Sequence, residues 1–140
     1  MYLWRAIKVV TDMVSQITQG IKVSVITNFE GIFFKNYRLH YAFTYQISIN
    51  NQSKDSVQLL SRHWEILDAL NDMETVDGEG VVGKKPILKS GETYTYSSGC
   101  LLVSPFGAMK GHFTMVNFTT SKKFKVTVPI FRLGAPYALN

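Results

Sequence analysis

The most constraining feature of the sequence is the segment from Leu39 to Ile49, in which a large apolar side chain occupies every second position. Eleven residues with this period cannot form one face of an α-helix, because 3.6 residues per turn would scatter the apolar side chains around the axis. The segment therefore predicts a β-strand with one buried face.

Other segments of the same kind recur along the chain and are separated by polar or glycine-containing turns. They span Lys22–Thr27, Val57–Leu67, Met73–Val76, Thr93–Tyr96, Cys100–Val103, Gly111–Phe118 and Phe124–Ile130. This spacing predicts an all-β fold: an immunoglobulin-like or fibronectin type III-like β-sandwich of seven to nine antiparallel strands in two sheets. Trp64 is expected in its core. Ile32–Arg38 and the first dozen residues lack the alternation and are interpreted as short helices or loops.

Length and composition narrow the classes of protein. The chain has 140 residues, which fits one domain, and its net charge of +5 favours anionic partners. The absence of a long basic run argues against nucleic acid as a partner, and no segment reaches the roughly 20 apolar residues of a membrane span. Cys100 is the only cysteine, which fits a reducing compartment, so a cytoplasmic location is expected.

The segment Gly78–Pro86 contains a G-x-G-x-x-G spacing followed by two lysines. Backbone N–H groups without nearby Cβ atoms can surround a phosphate, so the predicted phosphate-binding residues are Gly78, Gly80, Gly83, Lys84 and Lys85. A dinucleotide-binding fold needs a helix after the last glycine, and Pro86 followed by a short strand argues against it. A purely structural turn remains the alternative interpretation.

Two sets of residues are candidate metal ligands. The acidic set is Asp72, Glu74, Asp77 and Glu79, and the histidines are His40, His63 and His112. A divalent cation would prefer the carboxylates, but charged residues in a turn are usually solvated. The histidines lack the local spacing of a metal clamp. We therefore predict no metal site.

A surface that contacts a partner is predicted from two short segments. Arg62 and His63 stand beside Trp64, and Phe106 and Met109 are expected to be exposed in the loop Pro105–Gly111. Aromatic and methionine side chains in such a loop can instead close the end of the sandwich. No catalytic residues are predicted, because Ser97–Cys100 lacks the features of a nucleophile elbow.

Several segments together resemble the ApaG family. They are Thr18–Val23, Leu60–Trp64, Gly78–Pro86 with Leu88, Gly91-Glu92, Tyr96–Gly99, Pro105–Phe113 and Val128–Leu133. The resemblance covers Val14 to Leu133. It implies a bacterial domain of fibronectin type III-like fold without established catalytic activity, associated with cobalt resistance and magnesium efflux. It also implies a phosphate contact at the glycine loop and, from eukaryotic relatives, a role in protein interaction.

The resulting prediction is a non-catalytic binding module that contacts a phosphorylated ligand or a protein partner through its loops. An accessory factor or enzyme of dinucleoside polyphosphate metabolism and a pure protein-interaction domain are the alternatives. Residues 14–140 are expected to form a single ApaG domain, and residues 1–13 an N-terminal extension in which Met13 is a candidate natural start. No cofactor is expected, and the protein is expected to be a monomer or a homodimer.

Overall fold

A computed structural model describes residues 13–136 of the chain. Its strands are β1 (Met13–Thr18), β2 (Ile21–Lys35), β3 (Arg38–Asn51), β4 (Val57–Asp68), β5 (Glu74–Glu79), β6 (Ile87–Leu88), β7 (Thr93–Leu102), β8 (Phe106–Asn117) and β9 (Lys122–Gly134). No α-helix occurs in this range. The predicted all-β fold is therefore confirmed.

The strands form two antiparallel sheets. Sheet A has the order β1-β2-β3-β7, and sheet B has the order β5-β4-β8-β9, with the short β6 also paired to β4. Strands β7 and β5 are thus outer strands of sheet A and sheet B, respectively. The predicted two-sheet sandwich is confirmed, and the antiparallel neighbours explain the alternation in the sequence, because each strand buries one face and exposes the other.

The core lies between the two sheets and has an aromatic cluster at its centre. Trp64 is 3% exposed, as predicted for a core residue. Its ring meets the rings of Tyr45, Phe113 and Phe131 edge to face, with centroids 5.7, 6.1 and 5.9 Å away. Such pairs add about 0.5–1.5 kcal/mol each beyond the area that they bury. The cluster joins strands β3, β4, β8 and β9, so it fixes the two sheets to each other.

The prediction of a short helix or loop at Ile32–Arg38 is wrong. Strand β2 continues to Lys35 and β3 begins at Arg38, so only Asn36 and Tyr37 form the turn. The cause of the error is a β-bulge: Phe29 pairs with Phe43 and Gly31 with Ala42, so Glu30 is an extra residue. The extra residue puts the apolar positions out of phase in the sequence, and the bulge restores their orientation in the structure.

The predicted N-terminal extension lies, apart from Met13, outside the described residues, and its boundary stays a prediction. In the described part of the chain, no helix is long and apolar enough to cross a membrane.

Candidate functional site

A groove of about 430 Å³ opens between the outer strands of the two sheets, β5 and β7. Its lining comprises Tyr45, Arg62, Trp64, Ile66, Glu74, Val76, Ser98, Gly99, Cys100, Leu101 and Met109. The volume falls in the range of small-ligand pockets. Both flanking strands have one edge without a strand partner among residues 13–136. The groove therefore combines a concave surface with two available strand edges.

The floor of the groove is apolar and includes a side chain whose exposure was predicted incorrectly. Met109 is 1% exposed, so the predicted exposure of this residue is wrong. Strand β8 already begins at Phe106, and Met109 pairs with Ile66 and Phe131 on the core side. Phe106 is 51% exposed, as expected for a residue at the end of the sandwich. Of the two residues, only Phe106 remains available to a partner.

Arg62 connects the groove to the glycine loop. Arg62 follows the alternation of β4 onto the same side as Trp64, and its guanidinium lies against the Cα of Gly78, where a Cβ atom would come within 2.7 Å. Its Nη1 donates hydrogen bonds to the backbone oxygens of Glu79 at 3.0 Å and Gly80 at 2.9 Å. Arg62 therefore anchors the backbone of the glycine loop and brings a positive charge to one end of the groove.

The glycine loop itself is a tight hairpin turn. The N–H of Val81 donates to the oxygen of Lys84 at 2.8 Å, and the N–H of Lys84 donates back at 3.0 Å. Between them, Val82 and Gly83 have φ values of 48° and 74°. The N–H of Gly80 donates to the oxygen of Leu60 at 2.8 Å. Three of the N–H groups in this segment are therefore engaged within the protein, and β6 rather than a helix follows.

The structure gives two of the three predicted phosphate-binding glycines a steric role. A Cβ atom at Gly78 would displace the Arg62 guanidinium, and one at Gly80 would collide with the Lys84 carbonyl group. Lys84 is exposed, and the Nζ of Lys85 forms an ion pair with Glu79 at 3.2 Å. The N–H groups of Val82 and Gly83 at the tip are where a phosphate contact would have to form, and this contact stays a prediction.

The titratable groups in the groove argue against nucleophilic chemistry there. Burial, together with the smaller effect of the nearby charges of Glu74 and Asp68, raises the pKa of the Cys100 thiol to about 11. At neutral pH this thiol is protonated, so the reactive thiolate is absent. Burial also raises the pKa of the Tyr45 phenol, partly offset by a hydrogen bond with Ser98.

The outer face of sheet B carries a separate polar row. His63 and His112 lie opposite each other on β4 and β8, and their rings stack with centroids 5.0 Å apart. Nδ1 of His63 contacts Oδ1 of Asp77 at 2.6 Å, and Nε2 lies 3.7 Å from Oε2 of Glu65. In residues 13–136 no group of three or more histidine, cysteine, aspartate or glutamate side chains is arranged to hold a metal ion. Because successive residues of a strand point to opposite faces, His63 and Arg62 do not form one surface, contrary to the prediction.

The comparisons with known proteins agree with this architecture. The sequence signature of the ApaG domain matches residues 33–117. The chain belongs to the ApaG family. Protein ApaG of Beijerinckia indica subsp. indica is 40% identical over 126 residues, which are 90% of this chain and 96% of that protein.

Two solved structures are similar to this ApaG-family chain over most of their length. The X-ray structure of a structural-genomics target has a TM-score of 0.79 at 35% identity and covers 84% of this chain and 88% of its own. A protein from Bordetella pertussis that carries the name ApaA has a TM-score of 0.75 at 33% identity, covering 90% of this chain and 95% of its own. The sandwich is therefore shared with experimentally determined relatives.

Sequence reasoning missed the groove and the paired histidines. Neither has a local signal, because the groove joins strands of different sheets and the histidines meet only through the pairing of β4 with β8. The sequence contained one indication of the groove. Arg62 has the same alternation as the core residue Trp64, and an unpaired charge on the core side of a strand would be unfavourable.

Proposed function

We propose that this chain is a non-catalytic binding module that holds an extended segment of a partner protein in the groove between β5 and β7. The observation that carries the proposal is the pair of open strand edges beside an apolar floor. A segment that adds to either edge forms backbone hydrogen bonds and directs alternate side chains into the groove. This mode of binding needs no catalytic group.

The charges along the groove indicate what the segment carries. Glu74 lies opposite Ile66 at one end, and Arg62 lies opposite Gly78 at the other. Nη1 of Arg62 is occupied by the loop, and in the described residues its Nη2 and Nε have no further hydrogen-bond acceptor. These donors suit a carboxylate or a phosphate group. We therefore expect a partner segment with a cationic side chain near Glu74 and an anionic group near Arg62.

Selection of peptides tests this proposal. A displayed library of random 12-residue peptides is screened against the protein, and binding is followed by NMR. Peptides should shift the resonances of β5 and β7, and Leu101→Glu should weaken binding about tenfold, because it places a charge on the apolar wall. Ile130→Glu, a change of the same kind at an exposed residue outside the groove, should leave affinity unchanged. Shifts confined to other strands, or equal effects of the two variants, would contradict the proposal.

The phosphate contact predicted from the sequence is the second candidate, and its support is local. Lys84 is exposed beside the tip N–H groups of Val82 and Gly83, so a small anion has a cation and two donors within one turn. Titration with pyrophosphate and with ATP should shift Val82–Lys85, and Lys84→Gln should abolish the shift. If the resonances of Val82–Lys85 do not shift at millimolar ligand, this second function is excluded.

The association with cobalt and magnesium homeostasis that the family implies is, in our proposal, indirect and acts through the bound partner. We also propose a cytoplasmic location, because the lone half-buried thiol of Cys100 fits a reducing compartment. Residues 14–140 are proposed to form a single binding domain.

A further inference from the structure

The end of the β2–β3 hairpin exposes an unusual concentration of apolar side chains. The exposed residues are Ile32, Phe33, Phe34, Tyr37 and Leu39, of which Tyr37 is 94% and Phe34 66% exposed. Ile32 and Phe34 pair with Tyr41 and Leu39, which continue the core-facing side of β3. The hairpin therefore extends the apolar face of sheet A into a region that sheet B does not cover in the described structure. Exposed apolar patches of this kind mark interaction sites.

One edge of this hairpin has no strand beside it in the part of the chain that the structure describes. Strand β2 pairs with β3 along its whole length, but on its other side β1 pairs only with Ile21–Ile26. Among residues 13–136, no strand pairs with Glu30–Lys35 on that side. The backbone N–H and C=O groups of an open edge are a template for another strand, and a lipid surface would leave them unsatisfied.

The charges on the hairpin favour a second copy of the same chain. Lys35 lies directly opposite Arg38, so two like charges face each other at the end of the ladder. Glu30 lies at the other end of the open edge on the outer face, where its Oε2 accepts a hydrogen bond from Thr44 at 2.6 Å. An antiparallel pair of identical edges reverses one copy relative to the other, which brings Lys35 of each copy towards Glu30 of its partner.

We propose that two copies of this chain pair antiparallel along Glu30–Lys35 about a two-fold axis. The pairing joins the two copies of sheet A into one continuous sheet. It places the exposed side chains of Ile32, Phe33 and Phe34 of the two copies side by side. It also places Glu30 of each copy near Lys35 of the other. A two-fold interface uses the same patch twice, which an antiparallel edge pair satisfies by itself.

Sedimentation equilibrium on the full chain tests the dimer, at concentrations from about 10 µM to about 1 mM because an interface this small is expected to be weak. Wild-type protein should show a concentration-dependent dimer. The Glu30→Lys and Lys35→Glu variants should each raise the dissociation constant at least about tenfold, because each replaces two attractions by two repulsions. When the two variants are mixed, both contacts become attractive again, so a heterodimer should form with near wild-type affinity.

The control is Lys123→Glu, a charge reversal at an exposed residue near the start of β9, which should leave the dimer unchanged. A chain without residues 1–12 tests the competing occupant, because β1 begins at Met13, which lies opposite Ile26. Removal of these residues should not weaken the dimer. A full chain that stays monomeric throughout, a dimer insensitive to both charge reversals, or a mixture that fails to recover affinity would overturn the proposal.

Discussion

Two tight turns of this protein have the same backbone geometry and very different surroundings. Asn36 and Tyr37 at the end of the β2–β3 hairpin have φ values of 52° and 64°, and Val82 and Gly83 in the glycine loop have values of 48° and 74°. Each turn thus has two successive residues in the left-handed region, which suits the twist of a hairpin. The glycine loop is held by Arg62, whereas Tyr37 is 94% exposed.

The comparison shows that a conspicuous sequence motif and an available surface are separate properties. Gly78 and Gly80 allow an arginine and a carbonyl group to approach the backbone, which is a requirement of folding. The β2–β3 hairpin carries no motif, yet it presents the larger exposed apolar surface.

Gly80→Ala should lower the free energy of unfolding by about 2–4 kcal/mol, because the added Cβ would meet the Lys84 carbonyl group and φ is 61°. Gly83→Ala is the matched control. Its Cβ would enter open space, so only the left-handed conformation is penalised, by about 1 kcal/mol. Urea denaturation measures both changes. Equal losses would show that the loop is not anchored at Gly80.

Arg62→Met should lower the free energy of unfolding by about 2 kcal/mol, because the carbonyl groups of Glu79 and Gly80 lose a charged hydrogen-bond donor. Hydrogen exchange should accelerate in Gly78–Lys85 and stay unchanged in the β2–β3 hairpin. If exchange in the loop is the same in both proteins, the anchoring role of Arg62 is incorrect.

A reciprocal pair of substitutions compares the two turns directly. Val82→Asn should raise the free energy of unfolding by about 1 kcal/mol, since asparagine tolerates the left-handed conformation better than a β-branched residue. Asn36→Val should lower it by a similar amount for the same reason. Both positions are exposed, so packing changes little. Thermal denaturation gives the two shifts, and shifts of the same sign would refute the shared geometry.

The smallest expected effect is a dependence of stability on pH, and its source is His112 on the outer face of sheet B. Partial burial lowers the pKa of His112 from 6.5, and the charges of Lys125 and His63 lower it further, against the opposing charges of Asp77 and Glu65. The folded state thus favours neutral His112, so this contribution to stability is present above pH 6.5 and is lost as the pH falls below it.

His112→Gln should flatten that part of the profile when the melting temperature is measured between about pH 8 and pH 5. His40→Gln, on the β2–β3 hairpin, should retain the wild-type dependence. A profile that changes equally in both variants would assign the effect to some other group.

The strands were predictable where the sequence pattern is local and uninterrupted. Leu39–Ile49 was assigned correctly because its alternate side chains share one face of β3, and those from Phe43 to Ile49 enter the core. The end of β2 was missed because the bulge at Glu30 shifts the pattern by one residue. Alternation of apolar and polar residues indicates that one face of a strand is buried. Strand prediction from this pattern therefore fails where a bulge adds a residue and where the strand extends beyond the core.

The glycines around Met109 show why the site was only partly predictable. Pro105–Gly111 was predicted to be a loop that ends where a strand begins, yet Gly107 and Gly111 both lie in β8. A Cβ at either glycine would collide with a carbonyl group of β4, that of Leu67 or that of His63. Close approach of two strands and a flexible turn both require glycine, and a single sequence does not distinguish them. The groove and the stacked histidines depend on which strands become neighbours, which only the three-dimensional arrangement specifies.

The bulge at Glu30 also makes β2 tolerant to a change in its length. Because Phe29 and Gly31 already face consecutive residues of β3, deletion of Glu30 would leave every other pair in place. Ile32 and Phe34 would keep their orientation, while the outer face of sheet A would lose the carboxylate of Glu30. The hairpin can thus acquire or lose a charge by a one-codon insertion or deletion, a route of change that is closed to a regular strand.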